Sequence, residues 1–577
     1  MQVSTTIPSI TFVVANAASG QVSEGSVGDI GGMAPLDTII IVVYLLGVVG
    51  LGLYAGHLMK KRSSSGESRD YFLAGGTLRW PMIGLALFAT NISCVHLVSL
   101  AQSGFDTGLL NGNFEWMAAF TLILLSLFFA PFYIKSRVAT LPDFLEKRYN
   151  RRCRDMLAVL SLVSAVVIHI GFSFLTGGIV IRDIFGVDLY VSIIVIASLT
   201  ALYTIVGGLL AVVLTEAIQT IVLIAGAAII TWIAYDIMGG WEAMVASLES
   251  SGNTDKLSML RPHGDPSGMP WYAILLGYPV LGVWYWCADQ TIVQRVLGAK
   301  DENHARVGPL FAGFIKVIPV FIFVLPGLLA FTLASTGKLD LSPLTDSNGV
   351  VDSKGIYTAM ITQLLPVGVK GIVIAALLAA LMSTVSGALN SISTLTAFDL
   401  FKRFRPTTSD HQLVLVGRIA AAVALVVAIL LVPVLVKAPS IFNALNNIIA
   451  HIAAPVTCVF TLGVFWKRAN AFSAQWTMVI GAVTGVAIYT INVLEIDTPF
   501  ADIPFMMMAF YLFVYCVIVQ VVLTLFSGKP VPADSQALCW NSPLQPLRAP
   551  GWPGLGNYKF LSLALGAIMA VLYWIFR

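Results

Sequence analysis

The 577-residue sequence predicts an all-α membrane protein with about fourteen transmembrane helices. Three observations predict it. Apolar residues make up 57% of the chain and charged residues 11%, which leaves too little polar surface to enclose a soluble core of this size. Apolar runs of about 20 residues or more, each long enough to cross a bilayer, begin near residues 37, 81, 114, 156, 190, 212, 271, 307, 370, 412, 440, 473, 503 and 557. Between these runs Lys and Arg gather on alternate loops, the asymmetry that marks the cytoplasmic side.

Residues 1–36 form an outer segment, because residues 1–59 contain neither Lys nor Arg and the start lacks the basic n-region of a secretory signal. The first helix and its cytoplasmic loop occupy 37–80, where Lys60, Lys61, Arg62, Arg69 and Arg79 set the inner side. Five spans follow over 81–236, with a basic cluster from Lys135 to Arg154 after the span that begins near 114. Gly207-Gly208 and Gly239-Gly240 mark tight connections at positions where positive φ is needed. An outer loop at 237–270 leads to five more spans over 271–466, whose inner loops hold Arg295, Lys300, Lys402, Arg403 and Arg405. Three accessory helices complete 467–577, with Lys467, Arg468 and Lys529 inside. Both termini therefore fall on the extracellular or periplasmic face of a multi-pass protein in the plasma or inner membrane.

The net charge of +3 is accounted for by this sidedness and gives no ground for nucleic-acid binding. The six cysteines show no metal-ligand spacing and no outer pair that could form a disulfide. The longest loops, 237–270, 337–369 and 528–556, are rich in Gly, Pro and Ser and too short for a catalytic domain, so no enzyme is expected and function lies among the spans.

Polar groups within apolar runs are few, and they are expensive in lipid unless they face a partner or water. Lys316 stands about nine residues past the charged stretch ending at Arg306, so at roughly 1.5 Å per residue it is about 13 Å deep. Asn91 and His96 fall near mid-membrane, Glu115 opens the span near 114, and Glu216 and Asp289 interrupt two later spans. A Lys316–Glu115 charge pair beside the neutral donors and acceptors of Asn91 and His96 is the mixture a polyhydroxylated ligand requires. In ALMSTVSGALNSIST, Ala380, Ser383 and Thr384 share one helix face, as do Ser383, Ser386 and Gly387. Neutral hydroxyl and carbonyl oxygens suit a monovalent cation, but small and hydroxylated residues equally let membrane helices pack closely, and spacing alone does not separate the two.

Six motifs in order, FEWMAAF (114–120), TLPDFLEKRY (140–149), ALYTIVGGLLAVVLTEAIQT (201–220), WYWCADQTIVQR (284–295), GFIKVIP (313–319) and ALMSTVSGALNSISTLTAFDLF (380–401), resemble the sodium/solute symporter family, closest to its sodium/glucose cotransporter branch. The resemblance runs from about residue 40 to 470. It implies a LeuT-like core of two inverted five-helix repeats, 81–236 and 271–466, with binding sites at helix breaks near the midplane. The charge pattern agrees, since five spans per repeat give the two repeats opposite orientation. No Pro or Gly flags a break near Asn91, so that break is implied by the resemblance alone.

By the same resemblance a sodium ion would be held by the backbone carbonyls of Ala89, Ile92 and Ala380 and the hydroxyls of Ser383 and Thr384. A second sodium site would fall on Glu216 and Ser386, with Gly387 lacking the hydroxyl the family supplies there. The solute pocket would use Asn91, His96, Glu115, Tyr285, Trp286, Lys316 and Asn446, with Tyr285 stacking under the sugar ring. Gly282 replaces a polar side chain of the family, and Asn446 stands where sugar readers carry Gln, about 1.5 Å longer. The implied activity is sodium-coupled uptake of a sugar or sugar-like polar solute by alternating access. An inositol, an amino sugar, or a sensor or channel that binds sugar without moving it are the alternatives.

Overall fold

The computed structural model describes residues 33–62, 67–436, 441–494, 496, 498 and 503–577. Most of the expected outer N-terminal segment, residues 1–32, lies outside the described residues. The major helices are α1 (Pro35–Arg62), α2 (Trp80–Asn91), α3 (Cys94–Thr107), α4 (Asn113–Leu124), α5 (Arg151–Ser164), α6 (Phe172–Phe185) and α7 (Leu189–Met238). After the expected outer loop come α8 (Trp271–Val283), α9 (Gln290–Leu297), α10 (Glu302–Ile315), α11 (Leu325–Ser335) and α12 (Val369–Leu395). The set closes with α13 (Asp410–Leu435), α14 (Ile441–Phe465), α15 (Ala471–Val493), α16 (Phe505–Ser527) and α17 (Tyr558–Ile575).

Eleven helical stretches among the described residues are long and apolar enough to cross a membrane. This differs from fourteen because span boundaries drawn from hydropathy do not follow helix boundaries. The runs expected near 190 and 212 form one 50-residue helix, α7, interrupted only where Gly208 takes φ 61°. A side chain at Gly208 would meet the Tyr71 carbonyl and ring, so both the turn and the close approach call for glycine there. The runs expected near 81 and 271 are each split into two shorter helices.

Burial orders the helices from centre to rim. The most apolar window of α12 is 94% buried, against 28% for α1 and 17% for α17, so α12 is the central post and the others face lipid. α7 packs along α12 and α1, and α2 packs against α10. Small residues allow the closest crossing, between α3 and α11: a Cβ on Gly104 would overlap the Val324 carbonyl, and one on Gly327 would overlap the Ala101 carbonyl. The 237–270 segment is more ordered than its Gly and Pro content suggests, because Met244 and Leu248 share a face and bury one side of a helix over Gly240–Ser250.

Several basic residues counted above as inner-loop markers are structural. Arg148 is 1% exposed and donates to the carbonyls of Gly463, Trp466 and Ala469 at 2.6–3.1 Å, satisfying the open C-terminal end of α14. Arg154 bridges Asp399 at 2.7 Å and Glu146 at 2.6 Å. Arg295 is not in a loop at all: it lies on α9, fully buried.

Candidate functional site

Two helix breaks organise the centre. Between α2 and α3 the chain is extended, with Ile92 at φ −78°, ψ 103° and Ser93 at φ −99°, ψ 173°. Ser93 then caps α3: its backbone N–H donates to His96 Nδ1 at 3.2 Å while its side chain faces the His96 end of the first turn. The second break follows a π-helical turn, Trp284–Ala288, and is extended at Asp289 (φ −81°, ψ 123°). Asp289 Oδ1 caps α9 by accepting from the backbone N–H of Thr291 at 2.7 Å and of Ile292 at 3.4 Å. Each break is thus opened by an N-cap residue inside an apolar run, the local signal that the search for Pro and Gly overlooks.

The breaks bound a cavity whose wall carries Asn91, His96, Glu115, Tyr285, Trp286 and Asn446. Six of the seven expected solute residues are therefore together. Asn91 Nδ2 donates to the Tyr285 hydroxyl at 3.1 Å, joining the first break to the π-turn before the second. Asn91 Oδ1 is buried and has no partner among the described residues. Lys316 does not line the cavity. It ends α10 behind the wall, 1% exposed, and its ammonium is ion-paired with the equally buried Glu115 carboxylate. The Lys316 Nζ also lies 5.5 Å from the Trp286 ring centroid and 5.9 Å from that of Phe88. The pair supplies the compensation a charge at that depth requires.

Sequence reasoning missed several wall residues, among them Phe114, His169, Ser173 and Tyr278. His169 Nε2 lies 3.1 Å from Asp289 Oδ2, so the second break is held from across the cavity. His169 and Ser173 stand at i and i+4 in one apolar run, and that spacing is the signal that could have found them. Tyr278 explains the missing side chain at Gly282, since a Cβ there would meet the Tyr278 ring and the Thr121 methyl at 2.7 Å. The Tyr278 hydroxyl is itself engaged with the Phe114 carbonyl at 2.9 Å.

Beside the cavity lies a cluster of oxygens. The Ser383 hydroxyl sits 2.8 Å from the Ala89 carbonyl and 3.0 Å from that of Ala380, and the Thr384 hydroxyl donates to the Thr90 carbonyl at 3.1 Å. The Ile92 carbonyl belongs to the adjoining extended turn. Thr384 is at once a wall residue of the cavity and a member of this cluster.

The residues of the expected second cation site are arranged differently. Both carboxylate oxygens of Glu216 are taken by Arg295, Oε1 by Nη2 at 2.5 Å and Oε2 by Nε at 3.3 Å, and Oε1 also accepts from the Thr90 hydroxyl at 2.8 Å. The Ser386 hydroxyl turns away to the Ser383 carbonyl at 3.0 Å.

The sequence profile of the sodium:solute symporter family matches residues 71–481. The chain belongs to the sodium:solute symporter family. Sodium/glucose cotransporter 1 of Ovis aries is 33% identical over 540 residues, covering 88% of this chain and 81% of the relative. Sodium/myo-inositol cotransporter 2 of Oryctolagus cuniculus is 35% identical over 472 residues, covering 78% of this chain and 69% of the relative. Among solved structures, the substrate-bound outward-open state of a sodium-coupled sialic acid symporter superposes with a TM-score of 0.75 at 22% identity, covering 86% of this chain and 99% of that one. As a member of the family this protein is a multi-pass membrane symporter that couples solute to sodium, built on the LeuT-like fold.

Proposed function

We propose that the protein imports a neutral sugar or sugar-like polyol together with sodium by alternating access, with the broken-helix cavity as the solute site and the Ser383–Thr384 cluster as the cation site. The observation that carries this is the position of Thr384, which faces the solute cavity and belongs to the oxygen cluster next to it. The wall favours an uncharged solute: Glu115, the carboxylate on it, is neutralised by Lys316, while Asn91, His96 and Asn446 offer hydrogen bonds and Tyr285 and Trp286 offer ring faces. The sugar and inositol cotransporters among its relatives support the same solute class.

Sodium would take over the lone pairs of the Ala89, Ile92 and Ala380 carbonyls and the Ser383 and Thr384 hydroxyls. At present the hydroxyl protons of Ser383 and Thr384 bridge α12 to the end of α2. A cation in the cluster would tighten that bridge and hold the solute-binding form, and its loss to the cytoplasm would release both. The driving force is sufficient: one cation crossing about 100 mV supplies about 2.3 kcal/mol, a tenfold sodium gradient about 1.4, and their sum supports roughly 500-fold accumulation.

Within that class an inositol is the alternative to a hexose, and the short Asn446 amide on the cavity wall is what favours it. Purified protein in liposomes tests both. Uptake from a panel of labelled hexoses, inositols and amino sugars is expected only with inward sodium, and faster with a negative interior. Equal uptake with potassium or choline in place of sodium refutes the proposal, and binding without net uptake makes the protein a sensor.

A further inference from the structure

We infer that Arg295 is a built-in cation standing where a second sodium would otherwise bind to Glu216, so that this symporter moves one sodium per solute. The inference rests on the symport reading above and adds its stoichiometry. It is carried by the space at Gly387. A Cβ on Gly387 would overlap the Arg295 guanidinium and come within 2.8 Å of the Thr90 methyl and 3.3 Å of Glu216 Oε1. The absence of a side chain at Gly387 is therefore what admits the guanidinium, and the same absence removes the hydroxyl that a cation would need.

Once admitted, Arg295 leaves Glu216 nothing to offer. The guanidinium holds both carboxylate oxygens, its Nη1 donates to the Thr291 carbonyl within α9, and both charged side chains are fully buried. A sodium ion would need at least one of those oxygens free and would have to stay beside a fixed positive charge, whose repulsion in a low-dielectric interior is severe. The Ser386 hydroxyl points to the Ser383 carbonyl instead. A tethered cation also performs the structural part of an ion's work. It joins α7 to α9, and through the Thr90 hydroxyl on Glu216 it reaches the residue whose carbonyl accepts from Thr384. Unlike sodium, it cannot leave, so it contributes no coupled charge.

Reversal potentials of the solute current in planar bilayers or proteoliposomes count the transported ions. A tenfold change in neutral solute is expected to shift the reversal potential of the wild type by about 59 mV, the value for one charge, and a shift of about 30 mV, the value for two, overturns the inference. Arg295→Lys, which keeps a cation beside Glu216, is expected to keep the shift near 59 mV. Arg295→Gln combined with Gly387→Ser frees the carboxylate and restores a hydroxyl, and this double variant is expected to halve the shift. A double variant that still carries solute with an unchanged shift overturns the claim that Arg295 occupies a cation's place. Sodium-dependent melting of the purified proteins counts binding sites without transport: the rise in melting temperature per tenfold sodium should correspond to one site in the wild type and double in the double variant. A wild type that melts with a two-site dependence overturns the inference, whereas one-site binding without sodium-driven flux leaves the stoichiometry of binding intact and refutes the symport reading.

Discussion

At the scale of single residues, Lys316 shows how one charge can serve a site it does not touch. Its partner Glu115 is on the cavity wall, and breaking a buried pair of this kind leaves an uncompensated charge at a cost of about 3–5 kcal/mol. Lys316→Ala is therefore expected to lower the melting temperature and abolish solute uptake while the remaining folded protein is still stabilised by sodium. Adding Glu115→Gln should recover stability without recovering uptake, as measured by thermal melting and liposome flux on the same preparations. Asn446→Gln extends an amide on the cavity wall by about one bond; a recovered hydrogen bond is worth about 0.5–1.5 kcal/mol, so hexose competition should strengthen two- to tenfold with sodium dependence unchanged. An unchanged competition profile would place Asn446 out of the solute's reach. Asn91, His96, Glu115 and Lys316 were legible in the sequence because polar groups stand out against apolar runs. Arg295 was misread for the same reason: sequence assigns arginines to loops by charge, and its partner Glu216 is 79 residues away.

At the scale of elements, both helix breaks are made without proline or glycine at the break itself. Ser93 and Asp289 are N-cap residues placed where hydropathy shows an uninterrupted span, so the run is legible as membrane-crossing but its interruption is visible only to a search for caps. The merging of two expected spans into α7 has the converse cause, since Gly208 turns the chain within a continuous helical stretch. Close crossings are a third property that hydropathy does not report. Gly104 and Gly327 let α3 and α11 meet backbone to backbone, and α3 carries His96 to the cavity. Gly327→Ala forces a methyl into the Ala101 carbonyl and is expected to cost about 1–3 kcal/mol. A melting temperature equal to the wild type would show that the two helices can separate freely.

At the scale of the whole molecule, the sequence conveyed the helical membrane class and the family, because composition and ordered motifs survive without knowledge of packing. It did not convey which helix is the post. The hydropathy of α1 matches that of α12, and only burial separates a lipid-facing helix from a central one. Thr384→Ala tests how the parts combine, since the residue serves cavity and cluster together. It should lower sodium-dependent stabilisation and solute affinity in parallel, whereas Asn446→Gln should move solute affinity alone; melting in sodium and solute titrations of both variants separate the two. With sodium and solute meeting at Thr384 as proposed, a reciprocity follows, because whatever factor sodium adds to solute affinity the solute must add to sodium affinity. On the cytoplasmic side this turns into a brake. When the cell is loaded with sodium, the ion lingers, the solute lingers with it, and turnover falls before the gradient itself is exhausted, so that import answers to the sodium burden of the cell as well as to the supply of solute outside.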